Sequence, residues 1–200
     1  MTADPVAGPA ASDPEASNAA ASEPDAGAVT YEVVAADAFA AIVDELGELL
    51  ADAVDSGASV NFLKPFSAAD GAAWWRARAV EVAAGDFVPV VARVDSRVAG
   101  TAVLVPSRKP NSPHRAEVVK VLVHRRARRR GIGAGLMAEI ERMAAADGRW
   151  LLILDTTSGS DADRFYRRLG WTPFGEVPNH ALTADGALSN TTYFFRDLRA

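Results

Sequence analysis

The chain contains no cysteine, which excludes a disulfide framework, a thiolate metal site and a cysteine nucleophile. Histidine is nearly as scarce. His114, His124 and His180 are scattered without the spacing of a metal-binding motif, so no metal site is expected. No apolar run approaches the roughly 18 residues of a membrane helix, and no basic patch precedes an apolar stretch near the N-terminus. Neither a membrane anchor nor a secretory signal is therefore expected, and a reducing cytoplasm is the default location. Basic residues are missing altogether from residues 1–28, where Asp4, Asp13, Glu15, Glu23 and Asp25 account for the whole net charge of −5. The remainder is close to neutral, without the general basic excess of a nucleic-acid-binding domain.

What is present divides into a tail and one domain. Residues 1–28 are mostly Ala, Pro, Ser, Asp and Glu. They cannot bury enough apolar surface to offset their ordering entropy and read as a disordered tail. The domain, residues 29–200, opens with a short strand at Tyr31–Val34. From Ala38, the residues Phe39, Ile42, Val43, Leu46, Leu49, Leu50 and Val54 recur at helical spacing and predict an amphipathic helix. Ser67 and Asp70 resemble a capping box that starts a second helix, carrying Trp74 and Trp75 and running to Gly85. Phe87–Val94 and Val98–Val105, joined by Asp95-Ser96-Arg97, read as a hairpin. Glu117–Val123 is a valine-rich strand, Ile132 to Asp147-Gly148 a helix, and Trp150–Leu154 an apolar run suited to a strand covered on both faces. Strand, helix and buried strand form a βαβ unit whose strands should be parallel. A short helix from Ser160 to Leu169 follows, then strands at Trp171–Phe174 and Thr191–Leu198 with a loop between them. The fold class is α+β, with a mixed sheet of six or seven strands and about four flanking helices.

The most informative stretch joins the Glu117–Val123 strand to the next helix. It reads His124-Arg125-Arg126-Ala127-Arg128-Arg129-Arg130-Gly131-Ile132-Gly133-Ala134-Gly135. A helix N-terminus leaves backbone N–H groups unsatisfied and favours negative charge. Glycines let that backbone approach an anion, and arginines add charged donors, so the turn suits a pyrophosphate. A Walker A loop would need a lysine and a hydroxyl after the glycines, and neither is there. A dinucleotide fingerprint would run from strand almost directly into the first glycine and would have a glycine where Leu136 stands. A nucleic-acid contact through Arg125–Arg130 explains the arginines and leaves the glycines unexplained.

Val123 to Gly133 fits the pattern Val-x-x-x-x-Arg-x-x-Gly-x-Gly, with Arg128, Gly131 and Gly133 at the defining positions. Ala162 to Trp171 resembles Ala-x-x-Phe-Tyr-x-x-Leu-Gly-Phe. The two patterns, in this order and separation, resemble the signatures of the GCN5-related N-acetyltransferases. That resemblance implies two parallel strands splayed around acetyl-coenzyme A, which would serve as co-substrate without a metal. It implies that backbone groups of Val121, Leu122 and Val123 pair with the pantetheine arm. It also implies that Arg128, Arg129, Arg130, Gly131, Ile132, Gly133 and Ala134 form the pyrophosphate turn. Gly159 stands where the family often has an asparagine, so no side-chain contact to the cofactor is expected there.

Acetyl transfer to an amine needs a base for the amine proton and an acid near the leaving thiolate. The lack of cysteine favours direct attack in a ternary complex. The resemblance implies Tyr166 as the acid. Glu117 and Asp155 lie in otherwise apolar strands and are candidates to bind or deprotonate the amine; Glu117 could instead pair with Lys120 or Arg115, and Asp155 could cap the next turn. Ala116-Glu117-Val118-Val119-Lys120, Leu154-Asp155-Thr156, Phe165-Tyr166 and Gly175-Glu176-Val177-Pro178 are further similar to the tabtoxin-resistance branch. That branch implies the same Glu, Asp and Tyr and an amino-acid-like or antibiotic acceptor. His180, in the late loop, is an alternative base. Trp74 and Trp75 could line a pocket or pack in the core. A catalytically silent acyl-coenzyme A sensor is the alternative function. The expected partner is a small-molecule amine, with no nucleic acid and no membrane; monomer and homodimer both remain open.

Overall fold

The computed structural model describes residues 27–199. The tail expected over residues 1–28 lies outside the described residues except for Gly27 and Ala28. Among the described residues there are seven strands, β1 (Val29–Val33), β2 (Val88–Val94), β3 (Arg97–Pro106), β4 (Arg115–Val123), β5 (Leu151–Thr157), β6 (Thr172–Leu182) and β7 (Leu188–Asp197), and five α-helices, α1 (Ala36–Asp55), α2 (Ala68–Arg76), α3 (Ala79–Ala83), α4 (Ile132–Ala146) and α5 (Asp161–Arg168). One sheet runs in the order β1-β2-β3-β4-β5-β7-β6. Its pairs are antiparallel except β4 with β5, which are parallel. None of the described helices is long and apolar enough to cross a membrane.

The parallel pair is joined over only three positions, Arg115↔Leu151, Ala116↔Leu152 and Glu117↔Ile153. Beyond Glu117 and Ile153 both strands continue unpaired with one another, so a gap opens in the middle of the sheet. This is the splay expected from sequence, and it begins at Glu117.

Each sheet face carries its own core. Leu136, Met137 and Ile140 of α4 pack with Ala116, Val118, Leu152, Leu154 and Phe194 on one face. Phe39, Leu46, Leu50 of α1 and Trp75 of α2 pack with Val91, Val103 and Leu122 on the other. Alternation along a strand separates the two sets. Helices α1 and α2 meet backbone to backbone: a Cβ placed on Gly71 would lie 2.6 Å from the Gly47 carbonyl oxygen. Trp75 fixes the contact by donating its indole N–H to the Leu46 carbonyl at 3.0 Å.

Three expectations needed correction. The helix expected from Ser67 to Gly85 starts as predicted, with both halves of the capping box formed, but it breaks into α2 and α3 around Ala77 and Arg78. Neither residue is a breaker by propensity. The break is tertiary, with Arg78 folded back so that its guanidinium lies 5.2 Å from the Trp74 ring centroid. There are accordingly five α-helices rather than four, plus a short 3₁₀ turn at Arg125–Ala127. The segment after Phe174, expected as loop, continues as β6 through Leu182. Pro173, Gly175 and Pro178 read as breakers, but β6 is an edge strand, where a missing N–H costs little, and its pairing with β7 shifts register at Pro173/Gly175 and Val177/Ala181.

Candidate active site

The turn from β4 into α4 is built from backbone. His124 Nδ1 accepts from the Arg126 N–H at 3.2 Å and starts the 3₁₀ turn. Arg129 and Gly131 both take left-handed conformations, at φ 62° and 76°. Peptide N–H groups in such alternating conformations converge and form an anion-binding concavity. Gly131 is the N-cap of α4 and supplies no side-chain hydrogen bond to its first turn, so those donors are left for a ligand. At Gly133 a Cβ would sit 3.2 Å from the Phe165 ring, so the glycine lets α4 start close against α5. The fit to a pyrophosphate therefore rests on main-chain donors that the fold leaves uncapped.

Three of the five arginines are held locally. Arg125 pairs with Asp52 and Asp55 of α1. Arg128 donates to the Val123 carbonyl at 3.3 Å, and Arg130 to the Gly27 carbonyl at 3.0 Å.

Where β4 and β5 part, two carboxylates share one face. Glu117 is in register with Ile153, and Asp155, two residues on, points to the same side as Ile153. The two acids stand together at the start of the gap. Their face is the α1–α3 side, because Leu152 and Leu154 occupy the other. Both open onto a cleft rather than a sealed core, yet the surrounding protein is dense enough that burial raises both pKa values. Glu117 is raised further by the charge of Asp155, with Arg115 and Lys120 opposing; Asp155 is opposed by His180 and Lys120. Arg115 and Lys120 act on Glu117 through space rather than by hydrogen bonding. Asp155 does not cap α5, whose N-cap is Ser160, accepting from the Asp163 N–H at 3.1 Å.

Lys120 is placed by a bulge. It has φ 52°, and the pairing of β4 with β3 changes register between Thr101↔Leu122 and Val103↔Val119. The extra residue turns Lys120 onto the face of Glu117. Its ammonium donates to the Val60 carbonyl at 3.3 Å and lies 5.0 Å from the Trp74 ring and 5.8 Å from the Phe62 ring. Burial lowers its pKa, Asp155 and Glu117 raise it, and Arg78 lowers it.

From β7, Tyr193 is in register with Asp155, and its hydroxyl is 3.2 Å from His180 Nε2. Tyr193 is raised in pKa by burial and by the charges of Asp155 and Glu117. Tyr193, Arg78 and Phe62 were missed by sequence reasoning. A signal for Tyr193 existed in the alternation of β7, but its register with Asp155 did not.

Tyr166 lies on α5, on the other side of the gap. It is 6% exposed and packs against Trp171 and Phe194, with centroids 6.1 and 5.9 Å away. Burial, and then the charge of Asp155, hold its phenol above the usual range. The structure thus gathers Glu117, Asp155, Lys120, His180 and Tyr193 on one face, and Tyr166 with the β4–α4 turn on the other. Of the paired tryptophans, Trp75 is fully buried, whereas Trp74 borders the cleft.

A model of the acetyltransferase (GNAT) family matches residues 52–171. Among solved structures, a ribosomal-protein-alanine N-acetyltransferase from Brucella melitensis is similar at a TM-score of 0.68 and 21% identity, covering 84% of this chain and 99% of that one. A structure from Salmonella typhimurium, described as an acetyltransferase with its cofactor acetyl-CoA, gives 0.66 and 20%, with 85% and 94% covered. One described as a phosphinothricin N-acetyltransferase gives 0.67 and 18%, with 86% and 99% covered. At these identities the likeness is one of fold.

Proposed function

The chain belongs to the acetyltransferase (GNAT) family, and on that premise we propose that it transfers an acetyl group from acetyl-coenzyme A to the amine of a small amino-acid-like or antibiotic acceptor. The transfer is a direct attack in a ternary complex, with no metal. One observation carries the reading. The gap between β4 and β5 begins at Glu117 and Ile153, with two carboxylates on one of its faces and the uncapped turn into α4 beyond it.

Val121, Leu122 and Val123, in the unpaired stretch of β4, offer main-chain groups to the pantetheine arm. Arg128, Arg129, Arg130, Gly131, Ile132, Gly133 and Ala134 hold the pyrophosphate, chiefly through main-chain N–H groups. Burial raises the pKa of both carboxyls, and the charge of Asp155 raises that of Glu117 further, which makes them better proton acceptors. Glu117 and Asp155 together therefore attract an ammonium ion and take the proton that it must lose before it can attack. Tyr166, its pKa raised by burial, stays protonated and donates a hydrogen bond to the departing sulfur. Full transfer of the phenol proton would be uphill, because a free thiol ionises near ~8.5, so Tyr166 acts mainly by stabilising the developing thiolate. The tabtoxin-resistance-like residues Glu117, Asp155 and Tyr166 support this assignment, as does the fold shared with the acetyl-CoA-bound Salmonella structure.

Thermal-shift titration with acetyl-coenzyme A is expected to show binding in the micromolar range, roughly −8 kcal/mol. Free thiol release with a panel of small amines then separates an enzyme from a silent sensor. Tyr166→Phe is expected to slow release by about 100-fold or more while leaving cofactor binding intact; equal release by both proteins would remove Tyr166 from the mechanism.

A further inference from the structure

The two carboxylates use only part of the charged surface of the cleft. Facing them are two cations gathered at one aromatic ring. Lys120 Nζ lies 5.0 Å and the Arg78 guanidinium carbon 5.2 Å from the centroid of Trp74. They are close enough for Arg78 to depress the Lys120 pKa. Like charges are not brought together on an aromatic ring without cost, and neither cation is satisfied by the protein. Lys120 has three N–H donors and gives one to the Val60 carbonyl. Arg78 meets Glu81 through one terminal nitrogen at 3.3 Å. Its Nε is the one buried side-chain polar atom without a partner among the described residues. A buried donor left open costs free energy, and native structures rarely tolerate one without a reason. Backbone strain adds to the pattern, because Lys120 reaches this position only through a left-handed bulge, a conformation that concentrates at functional sites.

Resting on the acetyltransferase reading above, we propose that Lys120 and Arg78, gathered at Trp74, seat a carboxylate of the acceptor, so that the enzyme selects zwitterionic amino acids over plain amines. The cleft then mirrors its substrate: Glu117 and Asp155 take the ammonium end, and the two cations take the carboxylate end. A plain amine leaves Lys120 without an ion-pair partner and the Arg78 Nε without an acceptor, and an acceptor that fills both ends supplies both. Beside this cluster a recess of about 230 Å³ is lined by Ser59, Asn61, Phe62, Leu63, Ala181 and Leu182. It is smaller than the roughly 300–1,000 Å³ of drug-sized sites and suits a side chain of amino-acid scale.

The test measures thiol release from acetyl-coenzyme A with the L-amino acids, each paired with its α-carboxamide. It uses the full-length protein and the variants Arg78→Gln, Arg78→Lys, Lys120→Met and Lys120→Arg. Cofactor binding serves as the check on folding. The wild type should favour the free acid over the carboxamide in kcat/KM by on the order of 10- to 100-fold. Arg78→Gln and Lys120→Met should raise KM for the acid, leave KM for the carboxamide unchanged, and so erase the preference. The charge-keeping variants should restore part of it. Equal use of acids and carboxamides by the wild type overturns the carboxylate seat and leaves the acetyltransferase reading standing. A variant that raises KM for both acceptors alike does the same. Thiol release from no amine in the panel, by a protein that binds the cofactor, overturns both.

Discussion

Replacing Gly71 by alanine sets two effects of opposite sign against each other, and the structure decides which prevails. In an exposed helix the change would stabilise by about 1 kcal/mol through helix propensity. Here the new Cβ would lie 2.6 Å from the Gly47 carbonyl oxygen and 2.9 Å from its Cα, against an ordinary contact of 3.4–4 Å. Both obstacles are backbone, so no side chain can rotate away, and α2 must lift from α1 by about 1 Å. Overpacking of this kind costs roughly 1–3 kcal/mol. Lifting α2 also stretches the 3.0 Å bond from the Trp75 indole to the Leu46 carbonyl, whose buried partners lose about 1–3 kcal/mol if it breaks. The clash outweighs propensity, leaving a net loss of roughly 2 kcal/mol. For a domain of this size that lowers Tm by about 4–8 °C. Because α2 also carries Trp74, which borders Lys120, KM for the acceptor should rise while affinity for acetyl-coenzyme A holds. Thermal denaturation with a coenzyme titration measures both. A Tm raised by Gly71→Ala would refute the close helix contact and the placing of Trp74 derived from it.

Glu117→Gln should abolish most turnover and also stabilise the fold. Its pKa is raised in the folded protein, so the native state binds the proton more tightly and wild-type stability falls as pH rises from the unfolded value of about 4.3. The variant's advantage should be absent below that pH, grow through the window up to the raised folded value and level off above it; urea denaturation across pH 4–8 that showed no such gain would count against a crowded carboxylate pair. Gly131→Ala meets no neighbour within 4 Å, but its φ of 76° is strained for any residue with a Cβ, so it should cost about 1–2 kcal/mol and weaken acetyl-coenzyme A binding several-fold in the thermal-shift titration. Unchanged affinity would remove the main-chain turn from the pyrophosphate site.

How much of this was legible depended on how local the information was. The turn into α4 lies within a dozen consecutive residues, and its glycines and helix start carry their meaning in sequence order. The α1 periodicity and the Ser67–Asp70 capping box are equally local, and both formed. What failed needed tertiary knowledge. The break at Ala77–Arg78 has no local signal, since alanine favours a helix. β6 was hidden by two prolines that matter only if the strand has a partner on both sides. His180, expected in a loop, stands on β6 because β7 reaches it, with Ala181 in register with Ser189. Tyr193 and Asp155 are far apart in sequence and meet only through the pairing of β5 with β7.

The same contrast separates the two halves of the site, and β4 shows how one strand serves both. In the proposed function, its residues up to Lys120 face the acceptor side and those from Val121 onward offer groups to the coenzyme. In an unbroken strand Lys120 would point with Ala116 and Val118 into the α4 core, because alternation has a period of two. A buried ammonium there would have no counter-charge from the cleft. The extra residue marked by the Thr101↔Leu122 and Val103↔Val119 pairings turns Lys120 out and restores Val121 and Val123 to the α4 side. Register explains why the strain is kept: removing the bulge would exchange the faces of every later residue in β4. It would carry Leu122 out of the α1 core at the same time. The left-handed lysine is thus where β4 exchanges its two faces.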